Sequence, residues 1–291
     1  MPIRTFLFTL AATMITPLVL FAQDPTPTPA AAAPAPEVKL PAQKDFYLFL
    51  LAGQSNMAGR GKVDAEGKTP KPRIYAINKD LNWQPAVDPL HWDKTAAGAG
   101  IGRPFAEVVL ATLPENVSIG LVPTAWGGSS ITTWVPGGFH KETNSHPYDD
   151  FLVRAKRAMK DGTVKAILWH QGESDAGGKN ADPYEQRLTD LIARMRTDLG
   201  MPDLPFIIGE LGKFPAKPWN ADREKIDAAH QAVAKKLKNV YYVKSEGLTS
   251  SDNLHFDTPS LRVLGKSYAE AYLKYVEESS KAGSAAPAEK H

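Results

Sequence analysis

Residues 48–61, with the sequence LFLLAGQSNMAGRG, decide the fold of this chain. They begin inside an apolar run over residues 46–51, and the run ends at Gly53. Strands buried in a parallel sheet have such continuous apolar sequences, and ligands of open α/β sheets bind beyond the carboxyl ends of the strands. Ser55 follows this predicted strand end and is therefore a candidate nucleophile. Alternatively, it caps the next helix, because serine is a common N-cap residue.

Apolar runs and amphipathic segments alternate along the rest of the chain. Further strands are predicted at residues 74–78, 117–123, 164–169, 206–209 and 240–243. Helices are predicted at residues 104–113, at 183–199 with Asp182 as cap, around 226–237 and from Thr258 onward. Because such alternation favours parallel pairing with right-handed crossovers, we expect one three-layer α/β domain over residues 44–278.

The two ends of the chain differ from this domain in composition. Residues 1–22 have Arg4 followed by an uncharged apolar stretch, which predicts a signal peptide and a secreted or periplasmic protein. A retained membrane anchor is the alternative interpretation. Residues 23–43 are rich in proline and alanine and predict an extended linker, and residues 279–291 predict a disordered tail.

The composition excludes several classes of function. The chain has a formal net charge of +2, which gives no field for nucleic acid or an anionic membrane, and it has no cysteine for disulfides, thiolate metal sites or nucleophiles. The GAGIGR segment at residues 98–103 is not a dinucleotide loop, because Arg103 stands where the third glycine belongs and no strand precedes it. His91, His140 and His146 lack ligand spacing. We therefore predict no cofactor and no metal, and the oligomeric state stays open.

Polar residues follow three of the predicted strands. Ser55 follows the first, Gly127 and Gly128 follow residues 117–123, and Gln171 and Glu173 follow residues 164–169. Serine ester chemistry needs a nucleophile, a base, an acid that orients the base, and donors for the developing oxyanion. The backbone amides of Ser55 and Gly128 and the side-chain amide of Gln171 are the candidate donors.

His255 is the candidate base, because imidazole both accepts and returns a proton near neutral pH. Asp252 lies three residues earlier, before the predicted final helix. In a tight turn a carboxylate at that spacing reaches the imidazole Nδ1 and fixes the tautomer. We therefore predict a triad of Ser55, His255 and Asp252.

Four blocks in the chain carry a family resemblance: GQSNM at residues 53–57, GGS at 127–129, HQGES at 170–174 and DNLH at 252–255. In this order they resemble the SGNH hydrolases, and more narrowly the branch with sialate O-acetylesterases and carbohydrate esterase family six acetylxylan esterases. The elbow of lipases, with glycine two residues on either side of the serine, is absent because residue 57 is Met.

The resemblance implies a flavodoxin-like α/β/α sandwich with strand order 2-1-3-4-5 and metal-free hydrolysis of acetyl esters on sugars. It assigns the nucleophile to Ser55, the base to His255 and the acid to Asp252, and it places Gln171 where the wider superfamily has an oxyanion-hole asparagine. Glu173 is implied either as a second acid that assists His255 or as an anchor of its loop.

The substrate contacts are predicted around the same strand ends, from Gln54, Asn56, Arg60, Trp126 and Trp134. Tryptophan faces pack against sugar rings, yet large aromatic side chains also form cores, so both interpretations stay open for Trp126 and Trp134. The predicted function is a secreted serine esterase that removes O-acetyl groups from carbohydrate, acetylated xylan first. The alternatives are a sialate O-acetylesterase and a non-catalytic carbohydrate-binding module.

Overall fold

The computed structural model describes residues 38–284, and the apolar runs of this part form one seven-stranded sheet. The strands are β1 (Phe46–Gly53), β2 (Ile74–Ile77), β3 (Trp83–Pro85), β4 (Ser118–Ala125), β5 (Thr163–His170), β6 (Phe206–Gly209) and β7 (Val240–Val243). All six predicted strands are confirmed, with bounds shifted by at most two residues. The predicted signal peptide and most of the predicted linker lie outside the described residues.

The sheet has the order β3-β2-β4-β1-β5-β6-β7, and every neighbouring pair is parallel except β2 and β3. When β2 and β3 are set aside, the remaining five strands have the order 2-1-3-4-5 that the resemblance implied. β2 and β3 extend the sheet beyond β4. The antiparallel β3 was not predicted, because three residues ending in proline are too few for a period-two pattern.

The helices are α1 (Ser55–Ala58), α2 (Ala65–Lys68), α3 (Gly102–Leu110), α4 (Pro147–Ala158), α5 (Tyr184–Asp198), α6 (Ala221–Lys236) and α7 (Thr258–Ser284). Side chains of β1 alternate between two cores: Leu48 and Leu50 pack with α4, α5 and α6, whereas Phe49 and Leu51 pack with α3 and α7. This alternation puts helices on both faces of the sheet and confirms the three-layer α/β/α fold class.

Some helix boundaries differ from the predictions. α3 begins at Gly102, two residues before Pro104, and α7 continues to Ser284, past the predicted domain end at residue 278. Asp182 does not cap α5; Pro183 occupies that position, and the exposed Asp182 carboxylate accepts a hydrogen bond from Lys225 Nζ at 2.5 Å. α4 was missed, although buried residues spaced three and four apart along residues 148–158 are typical of a helix.

Two loops cross closely beside the carboxyl end of β1. Gly59, which follows α1, has a φ of +88°, and a Cβ there would lie 2.4 Å from the carbonyl oxygen of Ala99. Gly61 and Ala99 form an antiparallel bridge. The glycine-rich segment at residues 98–103 therefore supports the turn that carries Ser55, and its glycines allow two backbones to touch.

Candidate active site

Ser55 and His255 meet at the carboxyl edge of the sheet. Ser55 is the first residue of α1, directly beyond β1, and its Oγ lies 3.0 Å from His255 Nε2. His255 Nδ1 lies 2.6 Å from Asp252 Oδ2. Because an ionised carboxylate only accepts hydrogen bonds, Nδ1 carries the proton, and a neutral ring leaves Nε2 to accept from the Ser55 hydroxyl. The three predicted triad residues are thus in contact and in the order that serine activation needs.

A local turn holds Asp252 against His255. Asp252 Oδ1 accepts hydrogen bonds from the backbone N–H of Leu254 at 2.9 Å and of His255 at 2.7 Å, and Asn253 between them has a φ of +61°. Burial alone would raise the pKa of Asp252, but hydrogen bonds from the backbone and ring of His255 and from Leu254 lower that pKa to about 2. The Asp252 carboxyl is therefore charged wherever the imidazole works as a base.

A second set of contacts ties the turn after β1 to the His255 loop, which we define as residues 250–257. Asn56 Nδ2 donates to Glu173 Oε1 at 2.6 Å and to the carbonyl oxygen of Leu254 at 3.3 Å, and Asn56 Oδ1 accepts from the backbone N–H of Phe256 at 3.1 Å. The bonds to Leu254 and Phe256 lie on either side of His255 in the sequence. Asn56 thereby fixes the distance between the serine turn and the histidine.

Ser55, His255 and Asp252 face a cleft of about 530 Å³, and its walls are Gln54, Ser55, Arg60, Lys94, Ala96, Gly127, Gly128, Glu173, Ser174, Asp252, Leu254 and His255. The backbone N–H groups of Ser55 and Gly128 are among those at the cleft that have no acceptor within residues 38–284. Gly127 is different, because its N–H donates to Asp93 Oδ2 at 2.7 Å. The two unused donors beside the serine fit the developing oxyanion of an acyl transfer.

The two cations at the cleft are each paired with a carboxylate. Arg60 Nη2 lies 2.7 Å from Asp93 Oδ2, and these side chains are only 8% and 2% exposed. Lys94 Nζ lies 2.6 Å from Glu142 Oε2, and this contact holds the pKa of Glu142 below its usual value. The positive charge of both residues is therefore offset next to the cleft.

The sequence and the fold both match known carbohydrate esterases. The family model described as carbohydrate esterase, sialic acid-specific acetylesterase, matches residues 45–274. The chain belongs to this family. A probable carbohydrate esterase of Arabidopsis thaliana is 36% identical over 251 residues, which cover 78% of this chain and 90% of that protein.

The X-ray structure of the Arabidopsis protein superposes with a TM-score of 0.70 at 35% identity and covers 78% of this chain and 98% of that one. A probable 9-O-acetyl-N-acetylneuraminic acid deacetylase of Escherichia coli is 21% identical over 280 residues, covering 77% of this chain and 85% of that protein. The predicted membership is confirmed, and the protein is a carboxylic ester hydrolase of the carbohydrate acetylesterase type. Membership in an esterase family argues against the alternative interpretation, a non-catalytic carbohydrate-binding module.

In this esterase Gln171 is not placed as an oxyanion donor. Its Nε2 donates to Asp175 Oδ2 at 2.6 Å, to the carbonyl oxygen of Ser129 at 3.0 Å and to Gln54 Oε1 at 3.1 Å. The residue is fully buried and does not line the cleft. The prediction for Gln171 was wrong because the Asp175 carboxylate, four residues along the chain, and acceptors on two segments far away in sequence, the Ser129 carbonyl oxygen and Gln54 Oε1, engage the amide.

Three of the predicted substrate contacts of the esterase, Asn56, Trp126 and Trp134, do not line the cleft. Trp126 and Trp134 are 2% and 1% exposed and pack edge to face with each other at 5.5 Å. The Asn56 side chain is engaged in hydrogen bonds with Glu173, Leu254 and Phe256. The open question for the two tryptophans is therefore decided in favour of the core, which they share with Trp169. Gln54 and Arg60 do line the cleft.

Glu173 lines the cleft of the esterase but forms no hydrogen bond with His255, whose Nδ1 is occupied by Asp252. Of its two implied roles, the geometry fits the anchor. The sequence analysis missed Asp93, Lys94 and Asp175 altogether. Asp175 stands two residues after Glu173 in the HQGESD segment, which is a usable signal, whereas nothing in the spacing connects Asp93 with Arg60.

The three histidines of the esterase that were excluded as ligands, His91, His140 and His146, each direct a ring nitrogen toward a backbone carbonyl oxygen. His140 Nε2 lies 3.2 Å from the carbonyl oxygen of Gly127, and His146 Nδ1 lies 3.1 Å from that of Gly138. No group of three or more His, Asp and Glu side chains is arranged for a metal ion in the described part of the chain. Within residues 38–284, no helix combines the length and apolar character needed to cross a membrane.

Proposed function

We propose that this esterase removes O-acetyl groups from sugars through a covalent acetyl-Ser55 intermediate. One observation carries the proposal: Ser55 Oγ, His255 and Asp252 form a continuous hydrogen-bonded chain, with 3.0 Å and 2.6 Å contacts, in the wall of an open cleft. A serine is a weak nucleophile until an oriented base removes its proton. This chain supplies both the base and the group that orients it.

In the first half of the reaction, Ser55 Oγ attacks the acetyl carbonyl carbon while His255 Nε2 takes the hydroxyl proton. The carbonyl π pair moves onto oxygen, where the N–H groups of Ser55 and Gly128 stabilise it. Collapse of this intermediate breaks the bond to the sugar oxygen, which leaves as the alcohol with the proton from His255. Asp252 stabilises the imidazolium between these two transfers.

In the second half, water replaces the sugar. His255 takes a proton from the water as its oxygen attacks the acetyl carbon, and the same donors hold the second oxyanion. Collapse then breaks the bond to Ser55 Oγ, which takes the proton held by His255, and acetic acid leaves and ionises to acetate, releasing its remaining proton to the solvent. Ser55 and His255 therefore regain their starting protonation states after each turnover: the sugar keeps the proton that Ser55 lost, and Ser55 keeps one that came from water.

Replacement of Ser55 tests this mechanism. Ser55→Ala should lower kcat on a chromogenic acetate by about 10⁴ or more, judged from the loss of triad members in other serine hydrolases. Ser174→Ala is the matched control, because this serine also lines the cleft but forms no side-chain contact with His255. Similar losses in the two variants, or a Ser55→Ala enzyme with more than a small fraction of wild-type turnover, would refute the assignment.

For the sugar we propose a neutral O-acetylated carbohydrate, with acetylated xylan as the first substrate. The support is that Arg60 and Lys94 are both paired with carboxylates of the protein. Among the described cleft residues, no cation is therefore left without a partner to bind the carboxylate of an acidic sugar. The aromatic platform expected from Trp126 and Trp134 no longer supports this choice, since both rings are buried.

A sialate ester is the second candidate, and the description of the matching family favours it. The comparison of kcat/KM on acetylated xylo-oligosaccharides and on O-acetylated sialic acid decides between the two. A tenfold preference, about 1.4 kcal/mol of transition-state discrimination, in favour of the sialic acid would overturn the neutral substrate and leave the serine mechanism intact.

We propose further that residues 1–22 direct the esterase out of the cytoplasm. The support is the sequence alone: Arg4, the uncharged apolar stretch after it and the proline-rich residues 23–43. Fractionation of the producing cells, with N-terminal sequencing of the exported protein, is the test. A full-length protein that keeps Met1 and stays with the cytoplasmic fraction would contradict it.

A further inference from the structure

We propose that the side-chain amide of Gln54 is the third oxyanion donor, and that Gln171 and Asp175 hold it in place. We call these three residues the amide wall. The inference rests on the proposed serine mechanism, because an oxyanion forms only if an acyl carbonyl is attacked. It gives Gln54 a catalytic role and leaves Gln171 a positioning role behind it.

The orientation of Gln171 is fixed by acceptors that cannot donate. Its Nε2 faces the backbone carbonyl oxygen of Ser129 at 3.0 Å and Asp175 Oδ2 at 2.6 Å, while its Oε1 accepts from the Tyr184 hydroxyl at 2.7 Å. Asp175 is itself held by the Ser130 hydroxyl at 2.5 Å and by the backbone N–H of Ile131 at 2.8 Å. An exchange of oxygen and nitrogen in the Gln171 amide would face two acceptors with an acceptor, so only one orientation fits.

The orientation of Gln54 follows from that of Gln171. Gln54 Oε1 is surrounded by three donors: Gln171 Nε2 at 3.1 Å, the backbone N–H of Ser174 at 3.3 Å and that of Gly172 at 3.5 Å. Backbone N–H groups are always donors, so the atom that faces them must be the oxygen. Gln54 Nε2 then points away from this cluster, and it donates to no acceptor within residues 38–284.

The free amide of Gln54 belongs to the cleft. Gln54 is directly before Ser55 in the chain, lines the same cleft as Ser55 and Gly128, and is only 3% exposed. A donor that is buried and already oriented costs no reorganisation when charge develops on the substrate. The two backbone N–H groups and this side-chain N–H together give the tetrahedral intermediate three donors. The Gln54 amide thus takes the role of third donor, which the resemblance assigned to Gln171.

Gln54→Ala tests the catalytic role. Loss of one oxyanion donor typically lowers kcat by about 10² to 10³, and we expect this loss with KM changed by less than about threefold. Gln54→Glu is the isosteric partner variant. One of its carboxylate oxygens still accepts from Gly172 and Ser174, but the other repels the oxyanion, so its kcat should fall at least as far. A Gln54→Ala enzyme with more than half of the wild-type kcat, or with an effect confined to KM, would overturn the proposal.

A double-mutant cycle tests the positioning role. Gln171→Met should lower kcat by about 10-fold to 100-fold in the wild type, yet add less than about twofold in the Gln54→Ala background, because Gln171 acts through Gln54. A purely structural role for Gln171 would cost the same factor in both backgrounds and would refute the coupling. Urea unfolding of each variant shows that kinetics are compared on folded protein.

The parallel Ser55→Ala measurement separates the two proposals. If Ser55→Ala keeps turnover, the serine mechanism fails and the oxyanion assignment fails with it. If Ser55→Ala is inactive and Gln54→Ala is unimpaired, only the assignment of Gln54 is wrong.

Discussion

The two walls that meet at Ser55 differ in how they are held. The His255 loop is open to solvent: the side chains of Asp252 and His255 are 50% and 19% exposed, and a short local turn keeps them together. The amide wall is closed: Gln171 and Asp175 are fully buried, and every bond that fixes them comes from inside the protein.

This difference follows from the two tasks. In the proposed mechanism His255 exchanges protons with the serine, the leaving group and water, so its partner has to be close, charged and in contact with a cleft that water enters. The oxyanion donors exchange nothing and work best when they are already oriented. The proposed nucleophile, Ser55, therefore lies between a solvent-exposed proton relay and the buried amide wall.

Asp252→Asn, a change in the His255 loop, should have the largest effect on kcat. An asparagine amide would donate to His255 Nδ1 and so impose the wrong tautomer, and the same change in a serine protease triad lowers kcat by about 10⁴, or about 5.5 kcal/mol. The asparagine oxygen can still accept from Leu254 and His255, so the free energy of unfolding should change by less than about 1 kcal/mol. Steady-state kinetics and urea unfolding measure the two numbers; a large stability loss would show that the loop is not the independent unit described here.

Trp134→Ala should have the opposite effect, a large loss of stability with little change in substrate binding, because Trp134 belongs to the hydrophobic core. Its ring packs against Trp126, Trp169 and Phe151, so its removal should lower the free energy of unfolding by about 3–5 kcal/mol. The exposed Phe139 is the matched control, and Phe139→Ala should cost less than about 0.5 kcal/mol. The KM of the folded Trp134→Ala enzyme for oligosaccharide should not change. A raised KM with unchanged stability would restore Trp134 as a substrate contact.

Glu173 separates anchoring from acid catalysis. Glu173→Leu removes one of the two acceptors of Asn56 Nδ2, the closer one at 2.6 Å. The unpaired N–H of this buried amide should lower kcat by about 10-fold to 100-fold, the equivalent of about 1–3 kcal/mol. Glu173→Gln keeps an acceptor and should stay within about threefold of the wild type. Equal losses in both variants would mean that the negative charge of Glu173 acts on His255 and that it is a second acid.

Acid titration of the Asp252 carboxyl in the His255 loop should have the smallest effect, and that effect is on the free energy of unfolding. The folded-state pKa of Asp252, about 2, lies below the ordinary value of about 3.9, so its contribution to stability is present above pH 4 and is lost as pH falls toward 2. Because the carboxyl is half exposed, the contribution should stay below about 1 kcal/mol. The difference in unfolding free energy between wild type and Asp252→Asn should shrink from pH 5 to pH 2. An increase over this range would reverse the sign.

The sequence predicted the triad contacts better than the donors, and for a physical reason. Ser55 directly follows an apolar strand, and Asp252 and His255 share a three-residue turn, so local patterns place both ends of the relay. The direction of an amide side chain is set in part by acceptors far away in sequence, here Ser129 and Gln54, which made Gln171 look free when it is engaged. The burial of Trp126 and Trp134 likewise depends on the packing of α4, a helix that the sequence analysis did not identify.

The identity of the labelled serine is the most direct test of the central claim. The full-length esterase is incubated with an organophosphonate ester until hydrolysis of the chromogenic acetate stops, and the modified peptide is identified by mass spectrometry. We expect one phosphonyl group per chain, on Ser55, and no labelling of His255→Ala, because the serine needs its base to react. Complete inhibition with the label on another residue, or full activity after Ser55 is labelled, would contradict the account.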